Sequence, residues 1–168
     1  MEFLSERNIE IHREYLNNLI CRYRTFEKSY PDLSGKDIGG IYRLKIQRVE
    51  REAAIKLYSE ILVHKIYFDS FSKPNVGSAR LRDQFGSVAS FLYDVRMRCA
   101  ETEYGFLLVY ENNGKICMYC GCDYEKVLRY NNVILALDLC EHAYFYDYGF
   151  NRDDYVINAT SQFDLSKI

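Results

Sequence analysis

Long apolar runs are missing from this sequence. The longest, "VILAL" (133–137) and "GFLLVY" (105–110), fall far short of the roughly 20 residues a membrane-spanning helix needs, and "MEFLSERNIE" at the start has no basic segment followed by an apolar one. A soluble, intracellular protein is expected. An excess of one charge is missing too: the net charge is −2 and no block of like charges stands out, so neither nucleic acid nor an anionic membrane is expected as a partner. The six cysteines are too sparse for a disulfide scaffold and read as reduced thiols in the cytoplasm. Tryptophan is absent beside 16 Tyr and 10 Phe, a composition without functional meaning by itself. Histidine occurs only three times, so chemistry built on imidazole has few places to be.

What is present suffices for one compact domain, since 168 residues with 48% hydrophobic content can bury a real core. Ser5, in a Ser–x–x–Asn–x–Glu arrangement, can cap a first helix that runs to about Lys28. "SYPDLSGKDIGG" (29–40) gathers turn formers and reads as a loop. From Ile41 to Phe71 there is no Gly or Pro, and Ile46, Val49, Ala53, Leu57, Ile61 and His64 recur at helical spacing, which predicts one long helix. "SKPNVGS" (72–78) is a second break, followed by a helix from about Arg80 to Ala100. There the period changes. Two β-rich runs flank Asn113–Gly114, a hairpin signal. "NVILALD" (132–138) reads as a third, buried strand, and "CEHAYFYDY" and "RDDYVINA" as short closing helices. The expected fold class is α+β: an N-terminal helical hairpin part over 1–75, then an α/β part over 76–168 with a small antiparallel three-stranded sheet, the two forming a single unit. No internal repeat or low-complexity segment is present.

His12 lies on the first helix and His64 on the long one, while His142 follows Asp138 by four positions at the end of the third strand. By residue type alone, a histidine on an apolar face is more often a hydrogen-bonded core residue than a ligand, and an aspartate there reads as an ordinary helix-start acid. The cysteines offer a competing constellation, Cys117, Cys120 and Cys122 in "CMYCGC", with Cys140. A C-x-x-C-x-C run can bind zinc or a cluster, but on a strand Cys117 and Cys120 point to opposite faces, and no second C-x-x-C exists.

Several stretches together resemble the iron/manganese superoxide dismutase family. "DLCEHAYFYDY" resembles that family's D-V-W-E-H-A-Y-Y signature. "SERNIEIH" is similar to its first ligand helix, "VHKIYF" to its N-H-T-F-Y-W segment and "FGSVASF" to F-G-S-F-x-x-F. "NNGKICMYCGCD" corresponds to its sheet hairpin and "NRDDY" to N-x-R-P-x-Y, so the resemblance runs in order over nearly the whole chain. It implies that His12, His64, Asp138 and His142 are metal ligands, using every histidine. Three imidazoles and one carboxylate suit Mn or Fe, one ion per chain. It further implies disproportionation of superoxide to oxygen and hydrogen peroxide by a cytoplasmic homodimer. Glu141 would bridge to the partner subunit's ligand histidine, and Arg152 would steer the anion or stabilise the interface.

The surroundings of these ligands depart from the family pattern. Its Trp before Glu–His is Cys140 here, and the second Tyr of its A-Y-Y is Phe145. Its outer glutamine, which donates a hydrogen bond toward the metal site, falls on Glu60 by the iron-type position and on Cys122 by the manganese-type position. Glu60 reads either as a solvated helix-face carboxylate or as a group turned toward the ion. The family's gateway tyrosine matches Tyr15 if a short deletion is allowed, and Ile20 (with Leu16 at the gateway histidine) if none is. Cys122 and Cys140, flanking an ion, would be oxidation-prone thiols. These departures keep two further readings open: the same fold performing other oxygen chemistry, or an inactive structural subunit.

Overall fold

The computed structural model describes residues 1–71 and 78–168. The expected boundary between 75 and 76, and the break "SKPNVGS" except for Ser78, lie outside the described residues.

The first helix, α1 (Glu6–Ser29), begins where its cap predicts: the Ser5 hydroxyl accepts from the Asn8 N–H. Ser5 also donates to the Asp147 carboxylate at 2.6 Å, which ties this helix start to the far end of the chain. The cap contributes about 1 kcal/mol, less than the roughly 2 kcal/mol from burying a side chain such as Leu19. The cap fixes where the helix starts, and the buried face keeps it folded. That face carries Asn8, His12, Leu19 and Tyr23.

A short 3-10 turn (Pro31–Leu33) and α2 (Ile38–Tyr42) follow, then α3 (Arg48–Asp69). The long helix therefore starts seven residues later than Ile41, because Asp37 accepts from Gly40 N and caps a separate short helix there. Ile38 and Ile41 hold α2 down by packing with Leu33, Ala54 and Ile55. The buried face of α3 is Ala54, Ile55, Ser59, Ile61, Val63, His64 and Tyr67, whereas Val49 and Ala53 are exposed. Pairings between α1 and α3 step in opposite directions, His12 with Phe68, Tyr15 with Glu60 and Tyr23 with Tyr58, so the two helices are antiparallel.

The expected helix from Arg80 to Ala100 is two, α4 (Ala79–Phe85) and α5 (Val88–Ala100), separated at Gly86–Ser87 with Ser87 capping the second. The hairpin is as predicted: β1 (Phe106–Asn112) and β2 (Lys115–Gly121) join through Asn113 and Gly114, both at positive φ (48° and 75°), as a two-residue primed turn requires. A six-residue helix without a sequence signal, α6 (Glu125–Tyr130), leads to β3 (Asn132–Asp138), α7 (Glu141–Tyr148) and α8 (Arg152–Ser161).

The sheet is antiparallel with strand order β2-β1-β3, and the register shifts between Val109 and Tyr110. Consecutive residues Leu107, Leu108 and Val109, and Leu135, Ala136 and Leu137, are wholly buried. Neighbouring side chains on a strand point opposite ways, so both faces of the sheet are covered. α3 packs against β3, and α5 against β1 and β2. Phe106 pairs with Gly121 on one side and Asp138 on the other, which brings the start of β1, the end of β2 and the end of β3 to one edge of the sheet.

Candidate metal centre

At that edge four side chains from four elements converge. His12 comes from α1, His64 from α3, Asp138 from the end of β3 and His142 from the first turn of α7. One ligand-type atom of each lies within 4.8 Å of all the others. The Nε2 atoms of His142, His12 and His64 stand 2.8, 3.2 and 3.4 Å from the same oxygen, Asp138 Oδ2. His12, His64 and Asp138 are buried, and His142 is half-exposed.

The alignment of these groups is set by backbone partners. His64 Nδ1 donates to the carbonyl of Glu60 one helical turn back at 2.6 Å, which leaves the Nε2 lone pair facing Asp138. Asp138 Oδ1 accepts from Cys140 N at 2.9 Å, so Oδ2 is the oxygen left to face the imidazoles. The Asp138 carbonyl accepts from the buried Tyr155 hydroxyl at 2.8 Å, and Ala136 N donates to Ser70 Oγ at 2.7 Å, locking the end of β3 against α8 and α3. The buried Asn8 side chain donates to the Ala143 carbonyl at 2.6 Å and joins α1 to α7, one turn before His12 and directly after His142. Sequence reasoning missed Asn8, Ser70 and Tyr155. Two signals were available: Asn8, a polar residue one turn before His12 on the same face, and Tyr155, the closing tyrosine of "NRDDY".

The chemistry of the donor set fits a cation. Asp138 Oδ2 and His12 Nε2 are fully buried and, beyond facing one another and the other imidazoles, have no hydrogen-bond partner, whereas the large majority of buried side-chain polar atoms are paired. Burial would raise the Asp138 carboxyl, but the three imidazoles overcome this and hold it well below the usual carboxylate range. Burial pushes His12 down. It acts the same way on His142, but the adjacent carboxylate prevails and raises it. An ionised carboxylate with three imidazole lone pairs turned to one point suits a divalent or trivalent first-row metal ion. Among the described residues, this is the one group of metal-ligating side chains so gathered.

A cavity of about 490 Å³ opens onto this cluster, lined by Tyr15, Glu60, His64, Cys122, Cys140 and His142 among others. Tyr15 stacks on His142, ring centroids 4.2 Å apart, and donates its hydroxyl to Glu60 Oε1 at 2.6 Å. Burial, reinforced by that bond, raises the phenol well above its ordinary range. Glu60 is thus turned into the cavity and held by Tyr15, but it is not among the four gathered donors. Ile20 instead packs beside Leu19, Tyr23 and Ile61. Burial raises both Cys140 and Cys122, and the two sulfurs approach the carbonyls of Gly105 and Tyr104. Glu141 is exposed on the first turn of α7. Arg152 donates to the carbonyls of Cys99 and Glu103, closing the C-terminal end of α5. The cavity lining also carries Lys56 with Glu60, Asp123 and Glu125.

Residues 75–168 match the family model described as iron/manganese superoxide dismutases, C-terminal domain. Over 169 aligned residues the chain is 24% identical to Superoxide dismutase (Fe) of Synechococcus elongatus, covering 92% of this chain and 81% of that protein. It is 27% identical over 161 residues to Superoxide dismutase (Fe) of Cupriavidus metallidurans, covering 91% and 80%. With Superoxide dismutase (Mn) 1 of Halobacterium salinarum it shares 29% identity over 103 residues, 56% of this chain and 52% of that one. The match to the family model spans more than half of the chain, and on that ground the protein belongs to the iron/manganese superoxide dismutase family.

Proposed function

We propose that the chain is a superoxide dismutase that holds one Mn or Fe ion through His12, His64, Asp138 and His142. The observation carrying this reading is the convergence of those four donors around one buried carboxylate oxygen, beside an open cavity that His64 and His142 line. Once bound, the ion supplies one-electron cycling between adjacent oxidation states, and dismutation needs that to oxidise one superoxide and reduce the next. The residues of the chain do the rest. Asp138 offsets cation charge with its own, and the Glu60 carbonyl orients the His64 ring. Tyr15 forms a wall of the approach and keeps its proton engaged with Glu60 in the cavity.

On the same reading the protein is a homodimer working in the cytoplasm. Glu141, exposed beside His142, would be the residue that bridges to a partner subunit, and the six free thiols suit a reducing compartment. Residues 1–75 and 76–168 act as the two parts of one unit. Arg152, engaged with two carbonyls, serves packing more than anion steering.

A second reading has its own support. Glu60 stands in the cavity where the family's iron-type pattern has glutamine, and an ionised carboxylate accepts hydrogen bonds where an amide donates them. With Cys122 and Cys140 on the same wall, this favours a related oxygen or peroxide chemistry at the same four ligands. The deciding experiment measures metal content and superoxide dismutation on protein purified under reducing conditions, with His64→Ala as control. About one Mn or Fe per chain and activity lost in the variant is the expected result. Metal without dismutation would move the assignment to the second reading, and absence of metal would overturn both.

A further inference from the structure

The helix α5 turns Phe91, Val95 and Cys99 into the core, so its outward face should be polar, as on an ordinary amphipathic surface helix. Part of it is not. Tyr93, Met97 and Ala100, spaced by four and three residues, join Val156 and Ile157 of α8 in lining a shallow groove of about 290 Å³. Tyr93, Met97 and Ile157 are 63%, 43% and 45% exposed, and none of the groove residues lines the cavity beside the four donors. Apolar side chains gathered in one exposed patch mark a surface for association rather than ordinary solvent contact. The other gathering of exposed rings, Phe145, Tyr146 and Phe150, lies on and just after α7, which also carries Glu141, and falls to the dimer proposed above.

The groove also carries one charge of each sign. Arg96 is fixed there by bonds from Nε to Thr160 Oγ1 at 3.0 Å and from Nη2 to the Ile157 carbonyl at 3.3 Å. Asp153 stands exposed on the first turn of α8. Among the described residues neither forms an ion pair, with the other or with a third group. An apolar strip flanked by one unpaired cation and one unpaired anion favours neither an acidic partner nor a basic one. It is complementary to itself, because across a two-fold axis residue i of one copy meets j of the other and j meets i.

We propose that this groove between α5 and α8 docks the same groove of a second copy of the chain. Arg96 of each copy pairs with Asp153 of the other, and the Tyr93 ring of each rests on the Met97 thioether of the other. Methionine suits the place, since its flexible side chain fills irregular gaps and its sulfur packs well on an aromatic ring. The Tyr93–Met97 ridge of one α5 seats in the groove of the other, as packed helices do. One such groove is small beside the roughly 1,600 Å² that a standard stable interface buries. The contact is therefore weak, and it pairs the proposed dimers only as concentration rises. It needs neither the metal ion nor dismutation.

The experiment is sedimentation velocity on the full chain over a wide range of concentrations, on wild type and on Glu141→Ala. The average mass should climb with concentration in both, past that of two chains in wild type and past that of one chain in Glu141→Ala. Met97→Glu places a charge on an exposed position and should weaken this step roughly tenfold or more in either background. Asp153→Lys sets two cations against each other and should weaken it as well, by less when salt is raised. A wild-type mass that never passes that of two chains would overturn the proposal. So would a Met97→Glu protein whose mass climbs with concentration as its parent's does. Because the step is read with and without Glu141, failure of the α7 dimer and failure of this contact give different results.

Discussion

Asp138 is the residue on which the candidate site turns. Its carboxylate is inaccessible to water, one oxygen is satisfied by its own chain two residues on, and the other faces three imidazoles. Tyr15 is the next group out. Tyr15→Phe removes the bond to Glu60 and leaves the four donors untouched. The variant should retain its metal while dismutation falls about tenfold or more, the scale of a lost proton-handling group; metal analysis beside stopped-flow decay of superoxide separates the two effects. The four donors and Tyr15 were legible in the sequence because each sits in a short segment with a family likeness. Asn8, Ser70 and Tyr155 were not, because each acts on a backbone group 135, 66 or 17 residues away, and no local pattern encodes a partner that distant.

At the scale of elements, what was readable was what local chemistry dictates. The Ser5 cap starts α1, the Asn113–Gly114 pair makes the hairpin, and the apolar run of β3 ends at Asp138 as expected. The short helices α2 and α6 escaped notice because tertiary burial holds five or six residues helical where propensity alone does not. The edge where the three strands end depends on one close approach. At Gly105, φ is 109° and an added Cβ would stand 2.4 Å from the Gly121 carbonyl oxygen, while its own carbonyl accepts from Leu139 N. Gly105→Ala should therefore cost about 3 kcal/mol or more, seen in urea unfolding, and should lower metal occupancy as the cavity wall shifts. Charge along the cavity is local as well. Lys56→Glu adds a fourth carboxylate to that lining and should slow superoxide capture several-fold, an effect that fades as salt is raised.

The whole molecule ties its two ends together: α1 packs on α7, the Ser5 hydroxyl reaches Asp147, and among the described residues no helix is long and apolar enough to cross a membrane. The proposed dimer should sediment at about twice 19.9 kDa, and Glu141→Ala should shift it toward the monomer in analytical ultracentrifugation. An ion that binds only the folded chain stabilises it by mass action, about 3–4 kcal/mol at one hundred to one thousand times its dissociation constant. Chelation should accordingly lower the melting temperature, and re-addition of metal should restore it. The four donors are spread from His12 to His142, so a chain leaving the ribosome exposes two imidazoles long before the carboxylate and the third imidazole exist. If the four hold an ion as proposed, a nascent chain would carry only part of the ligand set until β3 docks against α3. On the proposed reading the ion would then be taken up after synthesis, and expression medium and host should influence which ion the purified protein contains.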